Sequence, residues 1–233
     1  MVDEPRLFVL PPSHYCERAR WALDHMGLKY TEERWAVGLH VPRARRIAKG
    51  TTLPILTTDQ KVIQGSGSIL SWTGMTGGAP ALEQRFEERI GVIVRQFIYA
   101  GTLGVAGSGV RDVLFDGVPA GQARLGRLIW PVTRRLMVAG MNARSALLPE
   151  LEQKLSAELD WFDDQLAGRR HLVGDQFGRA DLTAASLLAP LARPAACLLY
   201  RKVRLPERLE QSLALWGARP SLRWVERIYA EHR

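Results

Sequence analysis

Ser13 and Cys16 stand where chemistry with a thiol could take place. They follow a short apolar run, residues 7–10, and two prolines, and they lie where a stretch with helical spacing begins. The first N–H groups of a helix lack partners within the helix, and together with the helix dipole they stabilise a nearby anion such as a thiolate. Both residues also fit a structural role, because serine is a common N-cap and cysteine a common core residue.

The spacing of apolar residues places these two side chains in a small α/β unit. Its order is βαβαββα, with strands predicted at 7–10, 29–35, 52–56 and 61–63 and helices at 15–26, 41–49 and 66–75. Gly- and Pro-containing residues 77–85 follow, and the later segments have helical spacing. We therefore predict an α/β domain over residues 1–76, a linker over 77–85 and an all-helical domain over 86–233.

The composition is typical of a globular chain. Of its 233 residues, 46% are hydrophobic and 24% are charged, and prolines and an arginine interrupt the most apolar stretch, residues 182–200. The net charge of +8 suits acidic partners, but the basic residues are spread along the chain. We expect a solvated basic surface, no nucleic-acid partner and no membrane partner.

The cysteines and the N-terminal residues indicate the compartment. Cys16 and Cys197 are far apart, and residues 1–6 lack the pattern of a secretory signal. Both cysteines are therefore expected to be reduced, in a cytoplasmic protein. The scattered histidines and cysteines have no metal-binding spacing, and we expect no metal and no organic cofactor.

Four segments of the chain, in this order, resemble the cytosolic glutathione transferase family. Residues 13–23 resemble the first helix of its Ser- and Cys-type classes (theta-, zeta- and omega-like, in bacterial-type members), and residues 52–56 resemble its cis-proline strand. Residues 63–70 are similar to its Glu-Ser helix start, and residues 172–181 resemble the N-cap box of its core helix. The resemblance implies a thioredoxin-like N-terminal domain, an all-helical C-terminal domain, glutathione as co-substrate and a homodimer.

The resemblance gives Ser13 and Cys16 competing roles. In the family, a hydroxyl at the position of Ser13 hydrogen-bonds the sulfur of glutathione and lowers the pKa of its thiol. A hydrogen bond to an anion contributes about 1.5–3 kcal/mol, which corresponds to roughly 1–2 pH units. Cys16 stands where a glutaredoxin-type motif has its second cysteine, which implies thiol–disulfide chemistry as the alternative. Its structural role would be to pack the first helix against the sheet.

Two further parts of the chain are implied in binding glutathione. In the family, the residue before the cis-proline, here Leu53 before Pro54, pairs through its backbone with the cysteine of glutathione. His40 and Arg43 are candidates for contacting one carboxylate of glutathione. The same residues also have structural explanations that need no ligand. Pro54 would then be a proline of an edge strand, and His40 and Arg43 would lie on a solvated basic helix.

The segment 63–70 departs from the family pattern at one residue. Ser66 stands at a helix start, where the family holds the γ-glutamyl carboxylate. The preceding residue is Gly65 where the family has an acid, and this loss predicts weaker or altered binding. Gln64 is the nearest polar residue that could compensate for the missing acid, but its side chain is expected to point in a different direction from a side chain at position 65. Asp181 is expected to be structural, with Gly178 in place of the usual Ser or Thr of the box.

These observations predict a glutathione transferase that activates the glutathione thiolate for attack on an apolar electrophile. The electrophile is expected against the helical domain, with candidate contacts at Tyr99, Leu103, Val110, Phe115 and Trp130. One alternative is a glutathione-dependent thiol–disulfide reductase that uses Cys16. The other is a non-catalytic binding protein on the same fold, which Gly65 and the net charge of +8 favour.

Overall fold

The computed structural model of the protein describes residues 4–233, and its N-terminal part is built on a four-stranded mixed sheet. The strands are β1 (Arg6–Val9), β2 (Thr31–Arg34), β3 (Ile55–Thr57) and β4 (Val62–Gln64). Their order is β2-β1-β3-β4, with β1 parallel to β2 and antiparallel to β3, and with β3 antiparallel to β4. Helices α1 (His14–His25), α2 (His40–Ile47) and α3 (Ser66–Trp72) complete the predicted βαβαββα order. The thioredoxin-like fold is thereby confirmed.

The third strand is shorter than its sequence predicts. The strand was expected from residue 52, but the ladder begins at Ile55, directly after the cis bond between Leu53 and Pro54. Proline has no N–H to give to a ladder, so strand pairing starts beyond it. Helix α1 follows the prediction closely and ends before Gly27, whose φ of +65° favours glycine.

The rest of the chain is helical, as predicted. Its helices are α4 (Pro80–Arg85), α5 (Gly91–Thr102), α6 (Val110–Leu114), α7 (Ala120–Leu128), α8 (Trp130–Gly140), α9 (Leu148–Leu166), α10 (Arg179–Ala192), α11 (Leu198–Lys202), α12 (Glu207–Gly217) and α13 (Pro220–His232). A π-helical turn, Phe86–Ile90, joins α4 to α5. The single helix expected over 125–139 is two helices, because α7 ends at Leu128 and Pro131 lies in the first turn of α8.

Packing divides the chain into two units. The first contains the residues up to Met75 together with Arg111–Arg134, and the second contains Thr76–Val110 and Arg135–Arg233. In the first unit, Asp116 Oδ2 accepts a hydrogen bond from Arg34 Nη1 at 3.2 Å, and Gln122 Oε1 accepts one from Ala36 N at 3.4 Å. The segment 111–134 is therefore tied to the end of β2.

Helix α10 forms the centre of the second unit. All of its residues from Ala180 to Leu191 are buried, and its first N–H groups are covered by the segment before α4. Arg179 N donates to Thr76 O at 2.8 Å, and Ala180 N donates to Gly77 O at 3.1 Å. This close approach explains Gly178, because a Cβ there would lie 2.9 Å from the Cα of Gly77.

Three of the five residues proposed to contact an electrophile are buried. Leu103, Val110 and Phe115 are each at most 5% exposed. Phe115 packs edge-to-face on Trp130, with ring centroids 6.2 Å apart. These residues therefore serve first as core.

The described residues contain neither a spanning helix nor a metal cluster. Within residues 4–233, each helix is too short or too polar to cross a membrane. In the same range, no group of three or more His, Cys, Asp or Glu side chains is arranged to hold a metal ion. The N-terminal stretch considered for a secretory signal begins outside the described residues.

Candidate functional site

The predicted site residues meet at one end of the sheet. β1 ends at Val9 and leads directly to Ser13. Because Phe8 pairs with Ile55 in antiparallel fashion, the start of β3 lies beside the end of β1. Ile55 in turn pairs with Gln64, so the residues after β4 reach the same end. The parallel pairing of β1 with β2 brings the loop to α2 there too. The topology thus gathers four segments that are far apart in sequence.

Ser13 is the N-cap of α1 and keeps a proton to donate. Its φ and ψ of −71° and 119° are extended, and its Oγ accepts a hydrogen bond from Cys16 N at 3.3 Å. The side chain is partly exposed, whereas the next turn of α1 is buried. The cap uses only a lone pair of the oxygen, so the O–H can donate either to the neighbouring Cys16 thiol, whose pKa it lowers, or to an external acceptor such as a ligand sulfur. The N-cap and the chemical role are compatible.

Cys16 lies in the core of the first unit. Its exposure is 0%, and its Sγ accepts a hydrogen bond from Leu10 N at 3.4 Å. Burial raises the pKa of the Cys16 thiol, and this effect exceeds the lowering by Arg20, Ser13 and Leu10. A buried thiol with a raised pKa is a poor nucleophile. The geometry therefore favours the packing role of Cys16 over the reductase alternative.

We expect Cys16 to be unreactive in the folded protein. In a Cys197→Ser variant, an aromatic disulfide reagent should react with Cys16 at least ~100-fold more slowly than with free glutathione, because thiolate character and access both decrease on burial. Stopped-flow absorbance at neutral pH measures the rate, and unfolding in denaturant should release the full reaction. Rapid stoichiometric reaction of the native protein would instead favour reductase chemistry at Cys16.

An arginine that the sequence analysis did not single out holds the turn that carries Ser13. Arg20 is 8% exposed; its Nη1 donates to Pro11 O at 3.4 Å, and its Nε donates to Glu32 Oε2 at 2.5 Å. Burial would raise the pKa of Glu32, but Arg20 and Arg34 hold it below its usual value. The ion pair therefore ties α1 and the turn before Ser13 to β2. Position 20 carries no distinctive motif, so only the tertiary contacts identify it.

The segment of Leu53 and Pro54 presents backbone groups at the site. The bond between them is cis, as the resemblance implies. Pro54 O accepts a hydrogen bond from Gly65 N at 3.0 Å, which joins the start of β3 to the start of α3. No hydrogen bond from another residue within 4–233 occupies the N–H or C=O of Leu53. This backbone is available to an extended peptide-like ligand.

Gly65 stands where the family has an acidic residue, and the contacts of Gly65 and of its neighbour Gln64 show whether another group replaces that acid. Gly65 has φ +94°, which an L side chain rarely adopts, although a Cβ would meet no atom within 4 Å. Gln64 does not replace the missing acid. Its Oε1 accepts from Gly50 N and its Nε2 donates to Thr52 O, both at 2.9 Å. The side chain of Gln64 therefore holds the loop before Leu53.

Ser66 combines burial with an unused hydroxyl. It is the first residue of α3 and is 2% exposed, and none of the described residues forms a hydrogen bond with its Oγ. A buried hydroxyl without a partner costs about 1–3 kcal/mol. A ligand carboxylate at this helix start would satisfy the hydroxyl.

His40 and Arg43 lie on α2 and are both engaged with backbone. His40 Nδ1 accepts a hydrogen bond from Gly38 N at 3.1 Å, and burial lowers the pKa of the His40 imidazole, which favours its neutral form. Arg43 Nη1 donates to Leu39 O at 3.1 Å. His40 can therefore supply a neutral donor, while Arg43 supplies the positive charge.

Comparison with known proteins adds independent evidence. Residues 7–74 match the model for the N-terminal domain of glutathione S-transferases, and residues 127–204 match the model for their C-terminal domain. Together these ranges cover more than half of the chain. No curated protein matches the sequence.

Solved structures show the same fold at low sequence identity. The glutathione transferase GSTFuA3 of Phanerochaete chrysosporium is 16% identical with a TM-score of 0.62, over 100% of this chain and 98% of that one. A glutathione S-transferase of Ceriporiopsis subvermispora, in complex with glutathione, is 14% identical with a TM-score of 0.62, over 98% and 96%. The beta-etherase LigF of Sphingobium sp. strain SYK-6 is 16% identical with a TM-score of 0.59, over 96% and 98%.

Proposed function

The chain belongs to the glutathione S-transferase family, and from this premise we propose that it binds glutathione on its first unit and activates the thiol with Ser13. The observation that carries the proposal is the cap geometry of Ser13. Its oxygen accepts a hydrogen bond from Cys16 N, and its O–H can turn from the Cys16 thiol to a ligand sulfur at the helix N-terminus. A donor and a dipole placed there favour the thiolate over the thiol.

Ser13 would act by stabilising a charge and by placing it. A thiolate attacks an electrophilic carbon, a sulfur–carbon bond forms, and the displaced group departs with the electron pair of the broken bond. The hydroxyl raises the fraction of thiolate at neutral pH, and the fixed helix start holds the sulfur in position. No cofactor besides glutathione as co-substrate enters this scheme.

The remaining groups at this end of the sheet suit the two ends of glutathione. The backbone of Leu53 would pair with the cysteine of glutathione, and Ser66 would donate to its γ-glutamyl carboxylate. His40 and Arg43 would contact its other carboxylate. Gly65 offers no side chain to the γ-glutamyl amino group, so affinity is expected to be lower than with an acid at this position.

The proposal extends to substrate, assembly and location. An apolar electrophile is expected, and a homodimer in the cytoplasm is the working hypothesis from the family resemblance. Two alternatives remain, a thiol–disulfide reductase using Cys16 and a non-catalytic binding protein. The burial of Cys16 disfavours the first, and Gly65 supports the second.

Titration calorimetry with glutathione tests the binding site. The Ser66→Ala variant should bind glutathione about 10- to 100-fold more weakly than the natural chain, because a hydrogen bond to a carboxylate contributes about 1.5–3 kcal/mol. The matched control is Ser68→Ala, which removes an exposed hydroxyl two residues along α3 and should bind like the natural chain.

The same titration distinguishes the proposal from its rivals. Absence of detectable heat with millimolar glutathione would contradict it and favour a non-catalytic protein or another thiol ligand. Equal weakening by both serine variants would show that the effect arises from α3 as a whole rather than from the buried hydroxyl.

A further inference from the structure

The segment 117–149 is basic and contains no acid. It has five arginines and no Asp or Glu between Asp116 and Glu150. Helix α7 lies in this segment and buries only its small residues, Ala123 and Gly126, against the first unit. Its other face is therefore turned outward and carries the longer side chains.

Arginines and leucines alternate along that outward face. Leu125 is 48% exposed and Leu128 is 78% exposed, and each follows an arginine, Arg124 or Arg127. Val132, four residues after Leu128 and in the first turn of α8, is 60% exposed. We call these five residues the arginine–leucine face.

The charges on this face are not neutralised within the first unit. None of the described carboxylates forms an ion pair with Arg124 or Arg127. The guanidinium of Arg127 lies 5.6 Å from the ring centroid of Phe115, which supports its stem without cancelling its charge. The face thus offers uncompensated positive charge beside protruding apolar side chains.

From this juxtaposition we propose that the arginine–leucine face docks the protein on the surface of an anionic lipid bilayer. A helix with arginines next to leucines lies in the interface plane, with its apolar side chains among the upper acyl chains and its cations at the headgroups. Each arginine near an anionic surface adds attraction. Such docking is peripheral and needs no spanning helix. It stands against the expectation, from sequence, of no membrane partner, and a vesicle-binding measurement decides between the two.

The charge pattern argues against a second copy of this chain as the occupant. A two-fold interface brings the same patch of both subunits together. Two such patches would bring the arginines of one copy close to those of the other, and the segment 117–149 supplies no acid to separate them. Leu128, at 78% exposure, protrudes instead of lining a groove, and a fluid bilayer accepts protruding side chains at any spacing.

Co-sedimentation of the full chain with vesicles tests the proposal. Vesicles of phosphatidylcholine with phosphatidylserine should bind the protein, those of phosphatidylcholine alone should bind it far less, and added salt should release it. The double variant Arg124→Gln/Arg127→Gln should lower the partition coefficient roughly 25-fold, about fivefold for each arginine. Leu128→Ser should lower it about tenfold.

Matched variants elsewhere on the chain serve as controls. Arg45→Gln/Arg46→Gln removes two exposed arginines of α2, and Leu215→Ser removes a leucine of α12 that is 77% exposed. Both should bind anionic vesicles like the natural chain. Equal losses with these controls would overturn the proposal, because attraction would then follow total charge or total apolar surface.

Two other results would also overturn it. One is no binding to anionic vesicles at low salt. The other is a dimer, detected by light scattering, that Leu128→Ser converts to a monomer while vesicle binding is absent; a second copy would then cover the face. Circular dichroism of each variant establishes that it is folded before it is compared.

Discussion

Replacing Ser13 with alanine is expected to raise the pKa of the bound glutathione thiol by roughly 1–2 pH units and to lower the rate of conjugation at neutral pH by about 10- to 100-fold. The variant loses the O–H of the N-cap residue of α1, and the bound thiolate loses a hydrogen bond. Ultraviolet difference absorbance of bound thiolate against pH measures the pKa directly. The titration curve should move to higher pH.

Two variants separate this chemistry from a structural effect. Loss of the N-cap alone costs about 1 kcal/mol of stability, and Ser13→Thr keeps both the cap and the hydroxyl. Ser13→Thr should therefore restore most of the thiolate signal. Cys16→Ser should leave conjugation nearly unchanged, since Cys16 is buried. If conjugation collapses in Cys16→Ser while the variant stays folded, the assignment to Ser13 is wrong.

The largest effect on stability is expected at Asp181. Its Oδ1 accepts from Leu172 N at 2.8 Å and its Oδ2 accepts from Gly178 N at 2.9 Å, and the side chain is 0% exposed. Asp181→Ala leaves the buried N–H of Gly178 and the partly buried N–H of Leu172 without their acceptor, and an unsatisfied buried donor costs about 1–3 kcal/mol. We expect a loss of roughly 2–5 kcal/mol in the free energy of unfolding, measured by denaturant titration.

The matched variant and the pH dependence identify the cause. Asp181→Asn keeps one carbonyl oxygen and should lose about half as much stability as Asp181→Ala. Burial raises the pKa of Asp181, more than the hydrogen bonds from Leu172 and Gly178 lower it. Protonation therefore favours the folded state, and this contribution is present at low pH and is lost as pH rises through the raised pKa. The alanine variant should lack it; an unchanged pH profile would contradict this account.

The local features of the chain were predictable because they depend on neighbours in sequence. Period-2 and period-3.6 apolar patterns predicted the four strands, the three helices between them and the helical remainder. The N-cap at Ser13 and the structural role of Asp181 follow from side chains that reach only the adjacent turn. The start of β3 moved by three residues at Pro54, and the helix expected over 125–139 became two helices at Pro131.

The features that could not be predicted from the sequence depend on contacts between segments that are far apart in the chain. Gln64 holds the loop at Gly50 across 14 positions, so it cannot substitute for the acid missing at Gly65. Gly178 departs from the usual box because the backbone of Gly77 fills the space of its side chain. Neither the contact of Gln64 nor the glycine at position 178 could be predicted from neighbouring residues, because each depends on a backbone segment that the fold brings close.

The sequence by itself therefore determined the element order, the helix start at Ser13 and the pairing of a hydroxyl with a helix dipole. Only the tertiary structure decided that Ser13, Leu53 and Ser66 share one end of the sheet, and that Cys16 is sealed in the core while Ser13 is partly exposed. The physical reason is range. Caps and periodicity act within a few residues, whereas burial and the charge state of a thiol are set by groups that the fold brings from far along the chain.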